Sequence, residues 1–294
     1  MRGSLRLRFK GLSTVAAIVV SVATALPSSA GTVVTFDTVF GPFDVLLYDE
    51  TTTETVENFL GYVCSGQYDD TIFHRLDPDF VLQGGGFTYD NGAVELPSGS
   101  PIALDTQISN TRGTIAMART AALDSADRQF YFNLVDNAAL DGPEGYAVFG
   151  EVLGNGMDVI DQLASQQPWN ASVYHHAWNE LPLIDYQMGE PIDDYLEWLH
   201  GVNVSGDVND DGYVDTLDLD GIVLSNWGTN VTSGDAASGD ASGDGFVGQD
   251  DLDKVLGNWH GGLAQAMSSE VRSIPEPSVL GILATALGVL IRKR

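Results

Sequence analysis

The sequence predicts a mainly β fold, a closed β-barrel capped by two helices, followed by a small helical domain built on acidic loops. Residues 32–200 contain many short runs of apolar and β-branched residues separated by Gly-rich turns, and two segments there have helical spacing. Many short strands with two helices favour closure of the sheet into a barrel. Residues 201–262 are rich in Asp, Gly and Asn and repeat internally, which predicts a second domain of another kind.

The predicted barrel elements follow one another along residues 31–200. Residues 32–36 and 43–47 predict a strand pair across the Gly41-Pro42 turn. Residues 52–66 have apolar side chains at intervals of three and four, which predicts a helix. The further predicted strands are residues 72–75, 80–83, 114–118, 129–133 and 146–149, and the second predicted helix is residues 158–164.

The charge of the chain restricts its partners. The formal net charge is −28, and seven of the 13 basic residues lie in the first ten and last three positions. Such an acidic body is repelled by phosphate backbones, so nucleic acid is not expected as a partner, whereas divalent cations are the natural counter-charge. The single cysteine, Cys64, has no internal disulfide partner and is expected to be a small buried apolar residue.

Five sequence blocks carry a family resemblance. They are FHRLDPDFVLQGG at 73–85, GTIAMAR at 113–119, QFYFN at 129–133, LDG at 140–142 and YAVFG at 146–150. In this order and at these spacings they resemble the cyclophilin family of peptidyl-prolyl isomerases, over residues 33–185. The resemblance implies an eight-stranded antiparallel β-barrel closed by two helices, with the active groove on the outer face of the barrel.

Such an isomerase needs few chemical groups in its active site. Rotation about an X–Pro bond faces a barrier of about 18–20 kcal/mol from amide resonance. A donor aimed at the prolyl nitrogen and an apolar pocket for the ring lower that barrier without a nucleophile, a metal or any other cofactor. The resemblance implies a catalytic set of Arg75, Gln83 and Phe80 and a substrate-binding set of Val81, Ala118, Arg119, Gln129, Tyr131, Leu140 and Tyr146.

The roles implied for these residues have simpler alternatives. Arg75 would be the donor, with a guanidinium that stays charged, and Gln83 would position it and bond the substrate backbone. A salt-bridged surface arginine is the alternative for Arg75, and ordinary core packing is the alternative for Phe80 and Tyr131. Tyr131 replaces the Phe usual in the family and brings a hydroxyl into an apolar pocket.

The acidic repeat predicts two cation-binding loops. Oxygen ligands at loop positions 1, 3, 5, 7, 9 and 12, with Gly at 6, suit calcium. In the first loop they are Asp207, Asn209, Asp211, the Tyr213 carbonyl, Asp215 and Asp218, and in the second Asp240, Ser242, Asp244, the Phe246 carbonyl and Asp251. The loop–helix unit with Asp last, present twice, resembles a dockerin type I domain, which implies two structural Ca²⁺ ions and a cohesin-like or surface partner. The alternative is an Asp/Gly-rich linker without metal.

The two ends of the chain predict export. Residues 1–30 have a basic start, an apolar stretch and small residues before the expected cleavage after Ala30, as in a signal peptide. Residues 263–273 predict a linker. Residues 274–294 combine Pro-Glu-Pro, an uncharged run of 14 residues and three basic residues. They resemble the PEP-CTERM sorting tail of Gram-negative exported proteins, which implies an exosortase as partner and membrane contact before processing. A plain anchor or a buried helix is the alternative.

Together these features predict an isomerase exported through the Sec pathway to the envelope or exterior of a Gram-negative-type bacterium. Its substrates would be X–Pro bonds of envelope or extracellular proteins, whose folding it would assist. The alternative is a non-catalytic module that binds proline-bearing segments and is tethered to a surface assembly by its dockerin-like domain.

Overall fold

The computed structural model describes residues 31–259 and residue 262. Its thirteen strands are β1 Val33–Thr38, β2 Gly41–Leu47, β3 Thr71–Ile72, β4 Arg75–Asp77, β5 Val81–Gly84, β6 Phe87–Tyr89, β7 Ala93–Glu95, β8 Thr114–Met117, β9 Phe130–Asn133, β10 Val148–Val152, β11 Gln167–Trp169, β12 Leu181–Leu183 and β13 Trp198–Val204. The α-helices are α1 Thr53–Val63, α2 Gly156–Ala164, α3 Leu224–Asn226 and α4 Gln249–Gly257. A π-helical turn, Leu217–Val223, leads into α3, and short 3₁₀ turns cover Ala138–Leu140, Asp193–Tyr195 and Ala236–Ser238.

Nine strands form one curled antiparallel sheet. Their order is β3-β13-β1-β2-β10-β8-β9-β5-β4, so the two edge strands are consecutive in the chain. Only Phe73 and His74 separate them, and the backbone N–H of each still donates to the sheet, Phe73 to the Glu197 carbonyl and His74 to the Gln83 carbonyl, both at 3.0 Å. The expected mainly β architecture is confirmed, but the sheet is curled into a half-barrel with two edge strands instead of closing into the expected barrel. The family resemblance implied eight strands. The seven strands predicted along residues 32–149 become eight because the predicted strand 72–75 is interrupted at these two residues, and the ninth strand, β13, was not predicted.

The two helices on the barrel match the sequence pattern. Helix α1 buries Val56, Phe59, Leu60 and Val63, which are the side chains at helical spacing in residues 52–66. It ends earlier than predicted, and the left-handed φ of Gly66, +62°, turns the chain away from the helix path. Helix α2 begins two residues before the predicted position 158. Both helices bury one apolar face against the sheet.

Aromatic rings fill the inside of the curled sheet. Phe36 stacks on Phe43 with centroids 5.1 Å apart and meets Phe132 edge-on at 5.3 Å. Phe59 of α1 joins this group from above, 6.0 Å from Phe130 in an edge-on arrangement. Edge-to-face packing of this kind adds to the burial of large apolar surfaces. The core is therefore inside the sheet, and the outer face is left for a site.

The acidic repeat packs directly onto the barrel. The predicted domain boundary after residue 200 falls inside β13, which pairs with β3 at Trp198 and Leu199 and with β1 up to Val204. Side chains from the repeat, among them Val208, Val214 and Val255, belong to the same buried cluster as the barrel core. Lys254 of α4 forms an ion pair with Asp44 of β2 at 2.7 Å. In residues 201–259 the repeat thus shares one hydrophobic core with the barrel.

The predicted signal peptide 1–30, linker 263–273 and sorting tail 274–294 lie outside the described residues. Within the described part of the chain, every helix is too short or too polar to cross a membrane.

Candidate active site

A row of side chains crosses the outer face of the sheet. Strand register places Arg75 opposite Gln83, Gln83 opposite Tyr131, and Tyr131 opposite Ala116. Ala116 in turn faces Val148 on β10. Directly paired residues of antiparallel strands point to the same face. Five strands therefore contribute to one row, and the neighbouring strands β4 and β5 put the guanidinium and the amide at one end of an apolar floor.

The row opens into a pocket of about 160 Å³. It is lined by nine of the ten residues singled out in the sequence, namely Arg75, Phe80, Val81, Gln83, Ala118, Arg119, Tyr131, Leu140 and Tyr146. The tenth, Gln129, lies just beside the lining, where its Oε1 accepts a hydrogen bond from Gln83 Nε2 at 2.9 Å. The pocket thus combines an apolar floor with charged and amide groups at its rim, as ligand sites generally do.

Arg75 is held by carboxylates at the rim. Its Nε donates to Glu180 Oε2 at 2.8 Å, and its Nη2 lies 3.9 Å from Asp77 Oδ2. The guanidinium carbon stands 5.9 Å from the centroid of the Phe80 ring. The expected support from Gln83 takes a different form: among the described side chains, Arg75 is hydrogen-bonded to Glu180, and Gln83 to Gln129. Both the guanidinium and the Gln83 amide are nevertheless on the same end of the pocket.

His74, next to Arg75, faces the opposite side of the strand. It is 2% exposed and its ring lies 4.7 Å from that of Phe87, in a separate apolar layer outside the sheet. Burial, followed by the positive charge of Arg75, lowers the pKa of His74 to about 3. This side chain is therefore neutral under ordinary conditions and is placed as a packing group rather than as a base for the pocket.

The hydroxyl of Tyr131 has a partner that the sequence did not indicate. It donates to Asn110 Oδ1 at 2.8 Å, and Asn133 Nδ2 donates to the same oxygen at 3.2 Å. The Asn110 amide nitrogen donates to Asp141 Oδ1 at 3.1 Å, which links the pocket wall to the loop that carries Leu140. Burial raises the pKa of Tyr131, so its hydroxyl stays protonated. The polar atom is thus satisfied beneath the apolar floor.

Arg119 fixes the opposite rim. Its Nε donates to the Gly145 carbonyl at 2.9 Å, and its Nη2 donates to the Glu144 carbonyl. The guanidinium carbon lies 4.5 Å from the centroid of Tyr146, a cation–π distance. Tyr146 meets Tyr131 edge-on at 5.9 Å. Arg119 therefore holds the loop that closes the pocket and orients the aromatic ring at its edge.

This arrangement coincides with a known family pattern. Residues 33–178 match the family described as cyclophilin type peptidyl-prolyl cis-trans isomerase/CLD. The chain belongs to the cyclophilin-type peptidyl-prolyl cis-trans isomerase family. Membership of this family assigns peptidyl-prolyl cis-trans isomerase activity to the chain. The match covers eight of the nine strands of the large sheet and ends before β13 and the acidic repeat.

Named bacterial relatives agree with this membership. Peptidyl-prolyl cis-trans isomerase A of Dickeya dadantii is 41% identical over 157 residues, covering 52% of this chain and 81% of that protein. Peptidyl-prolyl cis-trans isomerase B of Escherichia coli is 44% identical over 138 residues, covering 44% and 82%. A solved cyclophilin-type isomerase of Cryptosporidium parvum aligns with 58% of this chain and 98% of its own, at 20% identity and a TM-score of 0.43.

The first acidic loop wraps its backbone around carboxylates. Asp207 accepts from the N–H of Gly212 at 2.7 Å and from that of Asp211 at 3.2 Å. Asp218, fully buried, accepts from the N–H groups of Val208 and Asp215 at 2.9 and 2.8 Å. The remaining predicted ligands of this loop stay within the same turn system: Asn209 and Asp211 accept from N–H groups at 2.9 and 3.1 Å, Asp215 accepts from Leu217, and Tyr213 bridges to Gly262.

The second loop repeats this hydrogen-bond pattern. Asp240 accepts from the N–H of Gly245 at 2.8 Å, as Asp207 does from Gly212, and the buried Asp251 takes the place of Asp218, accepting from Ser242 and Gly248. Gly212 and Gly245, at loop position 6, have φ of +86° and +83°, which glycine adopts without strain. Asp244 accepts from the N–H of Phe246, and Phe246 bridges to Asn230.

The acidic loops contain oxygen donors of the kind that a hard cation prefers. Burial raises the pKa of Asp207 to about 6 and also raises that of Asp218, so the loop holds carboxyl groups where a negative charge is disfavoured. Among the described ion pairs, none involves a loop carboxylate. Across residues 31–259 and 262, no three His, Cys, Asp or Glu side chains converge as a metal cluster, so the amide, hydroxyl and carbonyl oxygens would have to complete the ligand set.

Proposed function

We propose that the pocket around Arg75 is where this isomerase acts on X–Pro bonds of exported polypeptides and so assists their folding. The observation that carries the proposal is the row Arg75–Gln83–Tyr131–Ala116 across four strands, which sets a permanent positive charge beside an apolar floor. A twisted X–Pro amide loses its resonance, and its nitrogen becomes a hydrogen-bond acceptor. A guanidinium N–H placed at that nitrogen favours the twisted state over both planar ones.

The proposed roles follow the position of each side chain in the pocket. Arg75 donates to the prolyl nitrogen. Among the described residues the Gln83 amide nitrogen is engaged by Gln129, and the Gln83 side-chain oxygen would accept from a substrate N–H. The proline ring lies on the apolar lining formed by Phe80, Val81, Ala118, Tyr131 and Leu140. Arg119 and Tyr146 form the opposite rim. No proton has to be moved and no covalent bond broken, so the side chains act through placement and charge.

The experiment is a protease-coupled isomerase assay on the full chain and on Arg75→Ala. Turnover should fall roughly 100-fold or more, the scale seen when one preorganised donor is removed from a site, while circular dichroism and thermal unfolding stay close to those of the parent. Arg112→Ala is the matched control, because Arg112 pairs with Asp161 at 2.7 Å away from the pocket. Equal activity of the parent and Arg75→Ala would refute the donor role. Absence of turnover in the folded parent, with proline peptides still bound, would favour the binding-protein alternative.

We further propose that the two acidic loops bind structural Ca²⁺ and form a dockerin-like unit. The support is the oxygen donors at loop positions 1, 3, 5, 7 and 12 and the parallel hydrogen-bond patterns around Asp218 and Asp251. Calcium would neutralise the carboxylates held there, and its binding would be linked to folding of this region. Titration calorimetry should find two sites, reduced to one in Asp218→Ala or Asp251→Ala. Heat signals unchanged by both variants would argue for a metal-independent turn region.

Export is proposed from the two chain ends. The basic, apolar and small-residue order of residues 1–30 supports passage through the Sec pathway, and residues 274–294 support recognition by an exosortase and transient membrane contact. A surface location would place the dockerin-like unit where a cohesin-like or other surface partner could reach it. Fractionation of cells that produce the full chain, beside a variant lacking residues 274–294, tests this. Recovery of both in the cytoplasm would contradict it.

A further inference from the structure

Glu180 is the residue that holds the guanidinium of Arg75. Its Oε2 accepts from Arg75 Nε at 2.8 Å, a charge-assisted hydrogen bond between partners 105 positions apart. The second nearby carboxylate, Asp77, is 3.9 Å from Nη2 and so contributes attraction without a hydrogen bond. Glu180 lies two positions beyond residues 33–178, the part of the chain that matches the family, so the family pattern does not include it.

The backbone around Glu180 is firmly placed. The Glu180 carbonyl accepts from the N–H of Leu76, the residue after Arg75, at 2.8 Å. Strand β12 begins at the next residue, Leu181, which is fully buried, as is Trp178 on the other side. The Glu180 side chain is itself 36% exposed, so its backbone, rather than burial of the carboxylate, sets where the ion pair with Arg75 forms.

The Nε side and the Nη side of the Arg75 guanidinium have different roles. Arginine has five N–H donors in a planar fork, one on Nε and four on the two Nη atoms. Glu180 takes the Nε side, which leaves the Nη side for the pocket, and the plane is fixed by the engaged Nε and by the Phe80 ring at 5.9 Å. The long, flexible side chain of Arg75 is thereby oriented before the substrate binds.

We propose that Glu180 is a positioning residue for Arg75, which orients the guanidinium so that its Nη donors face the prolyl nitrogen. This deepens the proposed function and rests on it. Glu180 does not touch the reacting atoms in this scheme, and its effect appears in the chemical step rather than in binding. Since a misplaced catalytic group reduces rate far more than affinity, the loss is expected in kcat, with KM little changed.

The test compares Glu180→Ala, Glu180→Gln and the control Glu190→Gln in the full chain. Glu190 is an exposed acid of the same segment, so its variant reproduces the charge change away from Arg75. Two readouts are taken. Steady-state and NMR exchange kinetics on a proline peptide separate kcat from KM, and the ¹⁵Nε–¹H resonance of Arg75 reports its hydrogen bond directly.

The expected result is a fall in kcat of about tenfold for Glu180→Ala, a smaller fall for Glu180→Gln, which keeps an oxygen acceptor, and parent values for Glu190→Gln. The Arg75 Nε–H resonance should shift and exchange faster with water in Glu180→Ala alone. A kcat within twofold of the parent, together with an unchanged resonance, would overturn the proposal. If the parent itself shows no turnover, the proposed function fails, and the Arg75 resonance still decides whether Glu180 holds the guanidinium.

Discussion

Asn258, at the end of α4, is hydrogen-bonded to both polar backbone groups of Val33, 225 positions earlier. Its Oδ1 accepts from the Val33 N–H and its Nδ2 donates to the Val33 carbonyl, each at 2.8 Å. Nδ2 also donates to the Ser205 carbonyl at 2.8 Å. The side-chain amide thus imitates a paired strand residue beside β1. It ties the second acidic repeat to the first and last long strands of the sheet.

This relationship predicts that the barrel depends on the repeat for stability. Asn258→Ala removes three hydrogen bonds, although the Val33 carbonyl still accepts from the Ser205 N–H at 2.9 Å, so we expect the free energy of unfolding to fall by about 2 kcal/mol. Asn226→Ala is the matched control, because Asn226 holds the equivalent place in the first repeat and donates to Ser238 within the repeat. Urea unfolding followed by tryptophan fluorescence measures both. Equal losses in the two variants would show that Asn258 has no special role for the sheet.

Tyr131 gives a second prediction, about the polar network under the pocket. Tyr131→Phe removes the donor to Asn110 Oδ1 while Asn133 still donates to that oxygen. We expect a loss of about 1 kcal/mol in unfolding free energy, the usual contribution of one hydrogen bond. Tyr174→Phe, at a ring that is 43% exposed, is the control and should change stability little. A stability gain in Tyr131→Phe would show that the hydroxyl is a burden in its apolar surroundings.

Arg119 should act on the pocket through its rim. Arg119→Ala removes the donors to the Glu144 and Gly145 carbonyls and the cation–π partner of Tyr146. We expect kcat/KM to fall about tenfold, because losing contacts of roughly 1–2 kcal/mol leaves the loop less ordered. Arg119→Lys keeps the charge without the fork and should recover only part of this. Full recovery in the lysine variant would assign the effect to charge alone.

Glu197 should contribute to the pH dependence of the free energy of unfolding. This side chain is fully buried, neither carboxyl oxygen has a hydrogen-bond partner among the described residues, and burial raises its pKa well above the ordinary value of 4.5. The folded chain therefore keeps a proton that the unfolded chain releases above that pH, so the contribution of Glu197 to stability is largest at low pH and is lost as the pH rises.

Glu197→Gln should remove this loss, so the unfolding free energy should depend less on pH above the ordinary glutamate value of 4.5. His74 has the opposite sign: burial lowers its pKa to about 3, so its contribution is lost as the pH falls below 6.5, and this acid limb should remain in the variant. Denaturant unfolding at several pH values, with Glu190→Gln as control, measures both limbs. An unchanged slope in Glu197→Gln would mean that Glu197 is ionised in the folded chain.

The sequence by itself determined the family, the mainly β fold and the membership of the pocket. Nine of ten residues chosen from sequence blocks line one cavity, because strand alternation and antiparallel register convert the spacing within each block into a shared face. The glycines at 212 and 245 could also be predicted from the sequence, since position 6 of each acidic loop requires a positive φ. Helix α1 buries the side chains that its spacing marked out.

The tertiary structure alone decided what holds those residues in place. Glu180 meets Arg75 across 105 positions, and Asn258 meets Val33 across 225. The side-chain oxygen of Asn110 likewise accepts a hydrogen bond from the Tyr131 hydroxyl, 21 positions away. Contacts of this kind leave no local periodicity, since each depends on where the folded backbone brings two distant segments together. The same reason explains why the sheet runs through the predicted boundary at residue 200: the strand Trp198–Val204 is specified by its partners β1 and β3, not by the composition that follows it.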